Sequence, residues 1–144
     1  MENTITLRRA CPAFLAAVTA AATWSGICGM LLAGIPPLPG ALYVFGFAWL
    51  LAAAGGILPF ALGIHVANRL GIRHWAYFTV GGMLAALTAL GVLFGVDAYA
   101  CEDEPPILPA DLVLHVAISG AIAGAACWQV LRRQERLETS VRMS

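Results

Sequence analysis

Four stretches of this 144-residue chain contain no Asp, Glu, Lys or Arg: 12–34, 41–67, 75–96 and 112–131. A helix needs roughly 20 apolar residues to cross about 30 Å of hydrocarbon, and each stretch reaches that length. Lipid cannot satisfy free backbone amides, so a spanning segment is either a helix or a strand of a closed barrel. Alternation of apolar and polar residues is missing, and Ala, Leu and Gly dominate, so the helical solution is the one expected. Composition agrees, with 60% hydrophobic residues and only 11% charged, against about a quarter charged in soluble chains. The expected fold is all-α: a single polytopic membrane domain of four transmembrane helices in an antiparallel bundle. Its partner is the lipid bilayer, and a formal net charge of zero speaks against nucleic acid.

Every basic residue is an arginine, and their positions follow the helix count. Arg8 and Arg9 precede the first run, and Arg69 and Arg73 lie between the second and third. Arg132, Arg133, Arg136 and Arg142 follow the fourth. The other two connectors, IPPLPG and DAYACEDEPPILPAD, hold none. With four spans, all eight arginines fall on one side, which the positive-inside rule makes cytoplasmic, with both termini inside. Five or three spans would scatter them. Trp75, Tyr77 and Trp128 fall at the inner ends of the runs and Tyr43 and Tyr99 at the outer ends, where amphipathic rings favour the headgroup level. Arg69, Arg73, Trp75, Arg132 and Arg133 are therefore read as topology anchors. The N-terminal run, about 23 residues, exceeds a typical signal-peptide core and reads as an uncleaved helix. The tail after Leu131 is expected to prolong the last helix by a turn or two, with Glu138 and Arg142 spaced as a helical pair.

Small residues mark where helices can approach. Gly91 and Gly95 in the third run, and Gly120 and Gly124 in the fourth, have GxxxG spacing, which drives helix association in lipid. Gly81 and Gly82 allow close approach at the start of the third run. Ala22, Gly26 and Cys28 give the first a small face, and Trp24 and Trp49, at similar depth, are expected to pack against each other across the first hairpin. Such seams close the four-helix bundle itself; a homo-oligomer or a larger membrane complex is the other use for them.

Chemistry-bearing residues are few. Cys101, Asp111 and His115 combine thiolate, carboxylate and imidazole, ligand types that suit a divalent transition metal. Their spacing matches no established site, and the plainer reading makes Asp111 a helix N-cap. His65 and His115 sit at opposite ends of their helices, too far apart to share a haem at 1.5 Å rise per residue. His74 shares a depth with Cys11, Cys127 and His65. The four cysteines form no CxxC, and Cys28 and Cys101 are the pair an oxidising outer compartment would permit to bridge. None of the spans holds the carboxylate expected of a proton-coupled carrier. No catalytic constellation and no cofactor site emerge.

The stretch HVANRLGIRHWAYFTVGGML resembles a segment of small four-helix bacterial inner-membrane proteins of unassigned function. In those, a short basic turn precedes an aromatic and a Gly-Gly pair opening the next helix. The likeness spans about 20 residues, and the acidic residue that opens the segment in that group is replaced here by Val66 and Ala67. It implies a multi-pass protein of the bacterial cytoplasmic membrane and carries over no catalytic residue. The function expected is a non-enzymatic accessory or assembly role exercised through helix packing; the alternative is a small transporter or channel whose acidic outer loop (Glu102, Asp103, Glu104) gathers cations. A reporter fused to the C-terminus is expected to be active only on the cytoplasmic side; periplasmic activity would overturn the charge map.

Overall fold

The computed structural model describes residues 5–33, 38–100 and 109–143. They form four helices: α1 (Leu7–Ala33), α2 (Leu38–Leu70), α3 (Trp75–Ala100) and α4 (Ala110–Met143). Each is long and apolar enough to cross a membrane, as a multi-pass membrane protein requires. Large apolar side chains face outward along all four; Leu58 is 80% exposed and Leu62 65%. A chain solvated by water would bury such a stripe.

The helices outrun the uncharged stretches because charge does not end a helix; capping does. The carbonyl of Thr6 accepts the first bonds of α1, from Arg9 and Ala10, so both arginines of that end lie within the helix. α2 stops at Gly71, which has φ of 66°, while the Ile72 N–H donates to the Ala67 carbonyl. That is a Schellman cap, and the left-handed conformation explains the glycine. The Pro109 carbonyl accepts from Leu112 and Val113 at the start of α4. Asp111 therefore stands inside the first turn, where it complements the helix dipole, and is not the N-cap. α4 runs to Met143, about three turns past Leu131, not the turn or two expected.

Neighbours in space follow the chain order: α1 packs on α2 and α4, α3 packs on α4, and the diagonal pairs do not touch among the described residues. The closest seam is α3–α4, where backbone meets backbone. A Cβ built on Gly82 would lie 3.1 Å from the Gly124 Cα and fall on the Gly120 carbonyl oxygen. One built on Gly120 would lie 2.7 Å from the Ala86 Cβ, and one on Gly124 2.7 Å from the Phe78 carbonyl carbon. Gly120 and Gly124 thus serve the seam, but their partners are Gly82 and Phe78. Gly91 faces open space, and Gly95 lies among residues whose side-chain surroundings are not described.

The arginine-bearing ends of the helices are fastened together by polar bonds. Asn68 near the end of α2 holds the backbone of Ile5 from both sides, accepting its N–H at 2.7 Å and donating to its carbonyl at 3.0 Å. Arg9 of α1 pairs with Glu138 of α4, its Nε 2.9 Å from Oε1. Arg73 in the α2–α3 turn pairs with Glu135 at 2.8 Å, and its carbonyl accepts from Trp128 Nε1 at 3.2 Å. Tyr77 of α3 donates to the Gly63 carbonyl of α2 at 2.9 Å. Inside this collar sits the apolar core of Ile5, Ala10, Ala13, Ala67, Phe78, Cys127 and Leu131. The extension of α4 is what delivers Glu135 and Glu138, the latter to Arg9; the expected Glu138–Arg142 pair falls on a side chain outside the described residues. Tyr77 and Trp128 turn into the bundle, whereas Trp75 stays 53% exposed.

The first hairpin also differs from expectation. Trp49 donates to Thr19 Oγ1 at 3.3 Å, while Trp24 stacks on His115 of α4 at 6.3 Å; the two indoles are engaged with different helices. The seam yields a contrast between glycines. Gly124→Ala is expected to lower stability by about 1–3 kcal/mol through overpacking, measured by reversible unfolding in mixed micelles. Gly81→Ala, whose Cβ would meet nothing within 4 Å, should cost nothing. Equal losses would contradict the seam.

Candidate functional site

A four-membered ring of helices closes only if all four sides pack, and here one side is slack. α2 and α3 touch least of the neighbouring pairs, and in α2 Ala67 is the only buried residue among those described. The slack leaves a cavity of about 340 Å³, within the usual range of ligand sites. All four helices line it. Phe14 and Val18 come from α1, Gly55, Pro59 and Gly63 from α2, Tyr77 and Gly81 from α3, and Ser119 and Cys127 from α4.

The cavity has the chemistry of the bilayer interior. No Asp, Glu, Lys, Arg or His lines it. The hydroxyl of Tyr77 is held by the Gly63 carbonyl, and the Ser119 hydroxyl is turned toward the Ala21 carbonyl at 3.5 Å. Toward the basic end the floor is the apolar core: Phe78 and Cys127 are both buried there, 8% and 3% exposed. The cavity is therefore a blind apolar cleft and not a passage through the bundle.

Its glycines are of two kinds. Gly82, Gly120 and Gly124 line it from the α3–α4 seam, where backbone contact requires them. Gly55, Gly63 and Gly81 face open space. A glycine inside a helix is less favourable than alanine by up to about 1 kcal/mol, and no contact offsets that cost at these three positions. What they secure is the width of the cleft.

The residues singled out in the sequence are placed as follows. Cys101 and the acidic trio Glu102, Asp103 and Glu104 lie outside the described residues. Asp111 is exposed and His115 is stacked on Trp24. Among the described residues, no three His, Cys, Asp or Glu side chains converge as a metal would need. His74 accepts the Ala76 N–H at Nδ1, 3.3 Å away, capping α3. Cys11, Cys28 and Cys127 are free thiols, and the Cys28–Cys101 pairing lies outside the described residues. Of the anchors, Arg73 is paired with Glu135 and Arg132 lies over the Trp128 ring at 5.0 Å. Arg69 and Arg133 are exposed and, among the described residues, have no ion pair. The cleft itself is absent from the sequence reading. The signal for it was Gly55, Gly56 and Gly63, glycines on one flank of α2 without a GxxxG partner.

No protein-family model, curated protein or solved structure matches the chain.

Proposed function

We propose that this chain is a non-enzymatic accessory protein of the bacterial cytoplasmic membrane, with both termini inside, that works by packing an apolar group of the bilayer into the α2–α3 cleft. The cleft carries this reading. It is wide enough for a ligand, lined by apolar groups, blind at the basic end, and kept open by glycines at which a Cβ would meet nothing. Placement in that membrane rests on the arginines gathered at one end, read by the positive-inside rule, and on the resemblance of the basic turn.

A small transporter or channel is less well supported. Its acidic loop lies outside the described residues, and the cleft offers a polar solute only the engaged hydroxyls of Tyr77 and Ser119 and one thiol. In lipid, association relies on close packing and hydrogen bonds, since tails are as apolar as leucine. A packing protein therefore needs shaped surfaces more than reactive groups.

Site-specific photolabelling tests this. A diazirine analogue of leucine at 51 or 90, both lining the cleft, is expected to give a discrete adduct in native membranes. The same probe at 58, on the exposed flank of α2, should give only diffuse lipid labelling. Identical labelling from all three positions would remove the basis of the proposal.

A further inference from the structure

We infer that the occupant of the cleft is one acyl chain of an anionic phospholipid, drawn from the leaflet at the basic end, with its phosphate at Arg69 and His74. This rests on the reading of the cleft given above and names its ligand.

The lower end of the gap speaks against a helix. The cleft runs from Tyr77 to Leu90 on α3, roughly 20 Å at 1.5 Å per residue. Tyr77 bonds the Gly63 carbonyl across its lower end at 2.9 Å, so a helix about 10–12 Å across would have to part α3 from α2 there. A hydrocarbon chain, with carbon contacts near 4 Å, needs no such parting. A lipid chain also reaches it without crossing water, because the slack α2–α3 side faces the bilayer.

Charge identifies the headgroup. The gap between α2 and α3 ends at the turn that joins them, which holds Arg73 and His74, with Arg69 in the last turn of α2 just before it. Arg73 is engaged by Glu135. Arg69 is exposed and has no ion pair among the described residues, so its guanidinium fork is available to a phosphate. His74 accepts a backbone N–H at Nδ1, which leaves Nε2 as its outward donor. Trp75, next along and exposed, suits the headgroup level. Cationic pockets between helices at the cytoplasmic face recognise anionic headgroups in this way. At the other end of the bundle, none of the described residues is an arginine or a lysine, so an anionic lipid has one orientation in which chain and phosphate are both satisfied.

The test uses the full chain in nanodiscs of equal phosphatidylglycerol and phosphatidylcholine, released for native mass spectrometry, with helicity and melting temperature recorded for each variant. Wild type is expected to retain one phospholipid per chain, with phosphatidylglycerol preferred. Gly55→Leu combined with Gly81→Leu puts side chains into open space and should keep its helicity while losing the retained lipid. Arg69→Gln should keep a lipid but lose about fivefold in preference for the anionic one. The inference is overturned if wild type retains none, if the filled variant retains as much, or if Arg69→Gln leaves the preference unchanged. A polypeptide photolabelled from the cleft in native membranes would also overturn it while leaving the packing role standing; unchanged lipid retention in the filled variant together with position-independent labelling would remove both. Should the double variant fail to fold, Arg69→Gln alone decides, being exposed and outside the core.

Discussion

Everything in this bundle is arranged around one backbone-to-backbone contact. In lipid, two helices gain little by hiding apolar side chains from each other, so they associate where their surfaces fit closely or hydrogen-bond. α3 and α4 meet at Gly82, Gly120 and Gly124, with no room for a single added carbon. That approach brings the Arg73 carbonyl within reach of Trp128 and the Arg73 side chain within reach of Glu135. It thereby fixes the α2–α3 turn against α4. α1 then closes on α4 through Arg9 and Glu138, and Asn68 ties the chain before α1 to α2. Exposed ion pairs contribute little singly, about 0–1 kcal/mol; here they share one end with a buried apolar core, where each restricts the next.

The cleft is a consequence of the same geometry. α2 is held at the basic end by Asn68 and Tyr77 and along its length by α1, where Phe14 meets Phe60 at 5.0 Å between ring centroids. Among the described residues, nothing comparable draws it toward α3 above Tyr77. Glycines at 55, 63 and 81 present no side chains to fill the gap, and the large side chains of α2, such as Leu58 and Leu62, are exposed on its outer face. A collar closed at one end and a slack side above it make a blind, laterally open, apolar space. The fold thus accounts for both the cavity and its lack of reactive groups.

Much of this was legible in residue order, because the bilayer imposes rules that act on single segments. Uncharged length announces a span, and the arginines sort themselves by connector; the structure brings the ends that carry them together through Arg9–Glu138 and Arg73–Glu135. Gly120 and Gly124 were also recognisable as packing positions. Their partner was not. GxxxG spacing describes one helix face, while the choice of Gly82 over Gly91 depends on how α3 is set against α4, which a short α2–α3 turn and the Trp128 bond determine. Tyr77 and Trp128 could be read as interfacial rings but not as bundle bonds, because whether an amphipathic ring near a helix end finds a carbonyl to accept its proton depends on the neighbouring helix. The cleft was hidden because it is a property of four faces at once.

The claim that the ring is closed at α3–α4 and slack at α2–α3 can be measured without touching the core. Leu58, Leu84 and Ile118 are exposed on α2, α3 and α4. Spin labels at these positions, in a cysteine-free background in nanodiscs, give two distance distributions by pulsed electron paramagnetic resonance. The account predicts that the 84–118 pair is the shorter and narrower, and that the 58–84 pair is longer and broader. Two distributions of equal mean and width would contradict it.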